Sequence, residues 1–237
     1  MVSYALAEAL DLTTFWEYRE VLLRGLAFNI YTFVAAASVS IAVGLAAALL
    51  RVNRLRPLRW AGTVHVELFR NAPDYFMVVW VHFVLPLLLG KLLGRRIEFD
   101  PFVSAVIALG LVYSGYFAET FRTGIQAIPL GHLEAARACG MSERQILWRI
   151  ILPQVVRRML PEAVNIFVSQ FKATTIISLI AVPDLMYRVG MVLQQEMKPL
   201  PLYTGAALTY FVVVYLFAGT IRALSERLVQ GEPLTHN

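Results

Sequence analysis

Cysteine is almost missing from this sequence, with Cys139 alone among 237 residues. One thiol cannot close a disulfide within the chain, so no disulfide framework supports the fold. Charge is scarce too. Asp, Glu, Lys and Arg make up 16% of the residues, against about 25% in an ordinary soluble domain. A phosphate-binding loop of the form G-x-x-x-x-G-K-[ST] does not occur, so any ATP hydrolysis belongs to another chain. The four histidines, His65, His82, His132 and His236, are dispersed, and His65-Val66-Glu67 lacks metal-ligand spacing. No metal site and no catalytic constellation is expected. Met1 to Glu20 has no basic n-region, and Glu8, Asp11 and Glu17 interrupt its apolar residues, so a cleaved signal is not expected there. Residues 1–21 read instead as an amphipathic lead-in, held at a membrane surface by Phe15, Trp16 and Tyr18.

What the sequence does have is apolar runs. Hydrophobic residues reach 58%, and the mean hydropathy is +0.63. Leu26 to Leu50 contains no charge, which is long enough as a helix to cross about 30 Å of hydrocarbon. The expectation is an all-α membrane protein with about five spans in one domain over residues 1–237. The spans are placed at Leu22–Leu50, Trp60–Leu93 (interrupted), Pro101–Phe121, Met159–Ile180 and Leu202–Ile221. Of the 21 Lys and Arg, twelve fall on the side of the 122–158 loop, seven on the other side and two inside spans. The positive-inside rule then predicts that loop and the C-terminus in the cytoplasm and the N-terminus outside. The net charge of +5 reads as contact with an anionic leaflet and calls for no nucleic-acid partner.

One stretch breaks the apolar pattern: "GHLEAARACGMSERQILWRIILPQ", Gly131 to Gln154. His132 to Cys139 fits a short helix, and Ala135, Ala136 and Ala138 give it a thin surface that another backbone can approach. Gly140 suits a left-handed helix stop. Ser142 and Gln145 have capping-box spacing. Pro153 is expected to end or kink the second helix. The stretch reads as a helix-turn-helix between spans three and four, either a peg for another protein or a solvated helical loop. Cys139 reads as a small packing residue.

The spacing is more specific. Glu134-Ala135-Ala136, three residues, Gly140, nine residues, Ile150, one residue, Leu152, Pro153 resembles the EAA loop of permease subunits of ATP-binding-cassette importers. "YSGYFAETFRTGIQAIP", "LFRNAP" and "NIFVSQFKATTIISLIAVPDL" resemble segments of the polar amino acid permeases of the histidine/glutamine/glutamate type. The resemblance covers about residues 22–227. It implies an inner (plasma) membrane location and a dimer with a second permease chain, identical or related. It also implies two ATPase subunits that use ATP, an extracytoplasmic solute-binding protein and an amino acid substrate. This chain would bind no cofactor. Glu134, Ala135, Ala136, Gly140, Ile150, Leu152 and Pro153 would dock to the ATPase. Departures from the family pattern are His132, Asn29, Asp74, Ala173 and Thr175; those at Asp74 and after Lys172 touch substrate identity.

Intramembrane charge marks a pathway. Arg70 to Asp74, "RNAPD", places two charges and a proline near mid-membrane, at about 21 Å for Asp74 if the helix runs unbroken from Trp60. Discontinuous helices at that depth line cavities, although a kinked helix with a snorkelling Arg70 fits as well. Glu162, Asn165, Ser169 and Lys172 recur at steps of three, four and three on one helix face. That stripe fits a pathway at a dimer interface or a buried helix contact. Glu119 fits a gate or a local pairing with Arg122. The expected pathway set is Arg70, Asp74, Glu119, Asn165, Ser169 and Lys172, with Asp74 pairing with Lys172. The competing functions are the same architecture carrying an opine, an osmolyte or an amine, a membrane-embedded enzyme near Arg70, Asp74 and Glu119, and a membrane adaptor that uses the elbow only to dock.

Overall fold

The computed structural model describes residues 12–229. The expected lead-in is therefore described only from Leu12, and residues 1–11 lie outside the described residues, as does His236. The regular elements of the described residues are helices: α1 (Thr13–Glu17), α2 (Arg19–Arg51), α3 (Arg56–Arg70), α4 (Asp74–Leu93), α5 (Pro101–Gln126), α6 (Leu130–Ala138), α7 (Glu143–Ile180), α8 (Leu185–Glu196) and α9 (Pro199–Val229). Five of these are long and apolar enough to cross a membrane: α2, α4, α5, α7 and the Pro199–Ala223 part of α9. In lipid only a helix satisfies every backbone group within its own segment, so apolar runs of this length become helices.

Two spans begin elsewhere than expected. The interrupted run from Trp60 is two separate helices, α3 and α4, parted at Asn71–Pro73. Pro73 is the N-cap of α4, with extended backbone at φ −65° and ψ 129°. A proline disfavours helix at the residue before it, so α3 has to stop. Asp74 is thus the first residue of a 20-residue apolar helix. The depth of about 21 Å reckoned from Trp60 does not follow, because no continuous helix joins the two. The second difference is in the fourth span, which starts at Glu143 and is continuous with the second arm of the elbow.

Pro153 does not end that helix. It follows a π turn at Leu147–Ile151, and the α-helical Leu152–Ala173 runs on past it. The same arrangement occurs in α4, where a π turn at Trp80–Val84 comes just before Pro86. A proline ring clashes with the carbonyl four residues back. Widening the preceding turn to an i→i+5 pattern moves that carbonyl aside and keeps the helix going.

The chain packs as two compact units. The first is drawn from Met1–Val39, Ala72–Gly110 and Ser169–Phe217, the second from Ser40–Asn71, Leu111–Val168 and Ala218–Asn237. In the first, Leu22, Leu26, Leu185, Val189, Val192, Leu202 and Ala206 form a core. Phe33 meets Phe171 and Phe217 edge-on, with centroids 5.6 and 5.1 Å apart. In the second, Ala47, Ala48, Val66 and Ala118 pack closely with Phe121. Small residues let helices approach where lipid offers no hydrophobic drive for association.

Candidate substrate pathway and coupling elbow

The end of α3 carries the first site. Asn71 donates to the Glu67 carbonyl at 2.8 Å and to its carboxylate at 3.1 Å, closing the last turn. Tyr116 on α5 donates its hydroxyl to the Arg70 carbonyl at 3.1 Å, which satisfies an acceptor that the helix stop leaves open. Gly115 makes this approach possible: a Cβ there would lie 2.9 Å from the Arg70 amide nitrogen. Arg70 is thereby fixed against the α5 backbone while its side chain stays exposed.

Beside it, in the second unit, lies a cavity of about 370 Å³ lined by Arg70, Tyr116, Glu119, Thr120, Thr123, Glu162 and Ile166. Glu119 is engaged on both oxygens. It accepts from Arg51 and, at 3.1 Å and through a second contact, from Arg122. The Arg122 pairing is thus present, and Arg51 joins it. Arg70 and Glu162 have no ion pair or side-chain hydrogen bond among the described residues, so the cavity holds one uncommitted cation and one uncommitted anion. Thr120 and Thr123 were not singled out from the sequence. Their spacing from Tyr116, four and seven residues along a helix, was the available signal.

Asn165, Ser169 and Lys172 are exposed, as is Glu162, along one face of α7. Ala163, Val164, Ile166 and Phe171 form its buried face. Asp74 and Lys172 both belong to the first unit. Asp74 sits in the first turn of α4, where the helix dipole suits an anion, and Lys172 lies where the α-helical Leu152–Ala173 passes into the 3-10 turns of Thr174–Ile180.

Sequence reasoning missed a buried polar cluster in the first unit. Asp184 is fully buried and caps α8, accepting from the Tyr187 amide at 2.8 Å. Asn29 donates to Asp184 at 3.2 Å and to the Thr174 carbonyl and hydroxyl at 3.1 Å each. Its own oxygen accepts from the Leu185 amide at 3.1 Å and the Tyr210 hydroxyl at 3.3 Å. Burial pushes the Asp184 carboxyl up to about 7, against the opposing pull of the Tyr187 amide, the Asn29 amide and Arg188. An Asp just before an apolar helix is an N-cap signal, and Pro183-Asp184-Leu185 offered it.

The elbow is built as its local sequence dictates. α6 ends at Ala138, and Gly140 turns the chain at φ +74°. Ser142 accepts from the Gln145 amide at 3.3 Å, while its own amide donates to the Gln145 side chain at 2.8 Å, a complete capping box. Arg137 pairs with Glu143 across the turn at 2.9 Å. Glu134, Ala135, Ala138, Cys139 and Gly140 are exposed, but Ala136 is buried with Ile146. The thin surface is therefore Ala135 and Ala138. Ile150 is half-buried within the π turn, and Leu152 and Pro153 are exposed.

Residues 40–230 match the family described as binding-protein-dependent transport system inner membrane component. The chain belongs to that family. Among its relatives is the probable glutamine ABC transporter permease protein GlnM of Bacillus subtilis (strain 168). It is 32% identical over 195 residues, covering 82% of this chain and 87% of the relative. The arginine ABC transporter permease protein ArtQ of Escherichia coli (strain K12) is 30% identical over 216 residues, covering 84% and 91%. Among solved structures, one titled as the crystal structure of an amino acid ABC transporter with histidines has a TM-score of 0.79 at 25% identity, covering 92% of this chain and 99% of that one. An inward-facing MetNI methionine ABC transporter reaches a TM-score of 0.70 at 19% identity and supports the fold alone. As a family member, this chain is a transmembrane transport component of the inner membrane, and its helical spans fit that place.

Proposed function

We propose that this chain forms the membrane pathway of an ATP-driven importer for a polar amino acid. Its relatives include transporter permeases named for glutamine and arginine. The observation that carries the reading is the cavity in which Arg70 and Glu162 face open space with no partner of their own among the described residues. One free cation and one free anion match the two charges of a zwitterion. A guanidinium binds a carboxylate through two parallel hydrogen bonds, so Arg70 takes the α-carboxylate and Glu162 the α-amine. Tyr116, Thr120 and Thr123 supply neutral hydroxyls. Asp74, Glu119, Asn165, Ser169 and Lys172 complete the proposed route, with the exposed α7 stripe facing a second permease chain.

In this reading an extracytoplasmic binding protein delivers the solute, and two ATPase subunits use the ATP. No cofactor is held by this chain. The elbow, through Glu134, Ala135 and Gly140 with Ile150, Leu152 and Pro153 behind them, seats in the ATPase on the cytoplasmic side. The N-terminus then lies outside.

The test is ATP-dependent uptake into vesicles holding this chain, its ATPase and its binding protein. The solutes are acidic, amide and basic amino acids beside an opine, an osmolyte and an amine. Arg70→Gln and Glu162→Gln should each cut amino acid uptake by about tenfold, a factor equal to roughly 1.4 kcal/mol. Preferred uptake of one of the other solutes would replace the amino acid reading. Full uptake in both variants would remove this cavity from the pathway.

A further inference from the structure

A second cavity in the second unit, of about 510 Å³, lies where α2 and α5 end and α6 begins. Arg51, Asn53, Arg59 and Gln126 give it polar groups, and no carboxylate lines it. Arg51 ends the 33-residue α2 and Gln126 ends α5, so both spans reach the cavity with their last residues. Arg51 shares its charge with Glu119. Arg59 is exposed and has no side-chain partner among the described residues. The Asn53 side-chain oxygen is already used by the Leu55 amide at 2.9 Å, and that of Gln126 by Arg122. Both side-chain NH2 groups remain as donors. Arg54 and Arg56, both exposed, bring the arginines of residues 51–59 to four.

The rest of the lining is apolar and includes Ile125, Leu133 and Ile151. A free phosphate has no use for such a lining. A lipid has, because its phosphate sits at the level where spans end and its chains run along them. Basic pockets between transmembrane helices select anionic headgroups on this principle. We infer that this cavity binds the headgroup of an anionic phospholipid, with Arg59 as its main cation, Arg51 and the Asn53 and Gln126 amides as further donors, and the glycerol and first methylenes against Ile125, Leu133 and Ile151. The site touches α6 through Leu130 and Leu133. Bound lipid therefore braces the first turn of the elbow. The inference rests on the proposed orientation only for the leaflet it faces.

The test is native mass spectrometry of the full chain in detergent, titrated with phosphatidylglycerol and, separately, phosphatidylcholine. Phosphatidylglycerol should be retained in preference. Arg59→Gln should weaken it by about fivefold, the share of one arginine near an anionic lipid, and Arg59→Lys should keep most of the binding. Arg59 is exposed, so neither variant disturbs packing, and a melting curve checks this. Equal retention of the two lipids, or an Arg59→Gln protein that binds as before, overturns the inference. Displacement of the lipid by millimolar inorganic phosphate would reassign the cavity to a free anion and overturn it as well. The readout needs neither ATPase nor substrate, so it stands or falls apart from the transport reading.

Discussion

Asp184 shows what a single buried acid does to a fold. Its carboxyl is raised to about 7 in the native state from an ordinary 3.8. The folded chain therefore holds this proton more tightly than the unfolded chain does. The stabilisation is complete below about pH 4, declines as pH rises and is gone above about pH 7. The melting temperature in detergent should fall between about pH 4.5 and pH 7.5, and Asp184→Asn should flatten that slope. An unchanged slope in the variant would assign the titration elsewhere. Glu119 gives the opposite case, one acid shared by two cations. Glu119→Gln strands Arg51 and Arg122, whose side chains are only 16% and 24% exposed. Stranded charge destabilises more than loss of the pair. The variant should melt several degrees lower, and adding Arg51→Met should recover part of the loss. Neither role was legible in the sequence beyond a fragment. Arg122 is three residues from Glu119 and was expected. Arg51 and Asn29 lie far from their partners in the chain, and nothing local points to them.

At the scale of elements, the elbow was readable because its determinants are local. A positive-φ glycine, a capping box and a helix stop all act within about one turn. The inward turn of Ala136 was not readable, since alanine suits either side of a helix. Gly140→Val forces a β-branched residue to φ +74°, at about 1–2 kcal/mol, and should misplace the tip. Ala135→Trp puts bulk on the exposed side without touching the buried contact. Both should reduce solute-stimulated ATP hydrolysis by about tenfold, roughly 1.4 kcal/mol, while membrane insertion persists. Full stimulation with Ala135→Trp would move the docking surface away from α6. The prolines were harder to read. Pro153 and Pro161 suggest breaks, yet α7 carries both. Sequence patterns show where a ring clashes but not that the turn before Pro153 widens; Pro161 is carried inside the α-helical Leu152–Ala173.

For the whole molecule, the number of spans was legible because hydropathy is summed over many residues and tolerates local error. What shares a cavity was not. Arg70, Tyr116 and Glu162 come from three helices, and only packing brings them together. Orientation rests on the arginine count, and Cys139 offers a native probe, since it is exposed and the only cysteine. A membrane-impermeant maleimide should leave it unlabelled in intact cells and label it in inverted vesicles stripped of the ATPase. Labelling in sealed cells would invert the topology.

The continuity of α7 from the elbow into the membrane has a mechanical meaning. Glu143 opens the arm beside the elbow tip, and Glu162 projects from the same helix 19 residues on, about 28 Å away along the axis. The π turn at Leu147–Ile151, Pro153 and Pro161 lie between them, and helices bend at such points, so this arm is a lever with a built-in spring. A tilt of about 5° at the elbow end sweeps Glu162 through at most roughly 2.5 Å, reached when the arm moves as a rigid rod, which is enough to break or make a hydrogen bond. In the proposed reading, a small movement of the docked ATPase reaches the solute along this one helix, less whatever its π turn and prolines absorb.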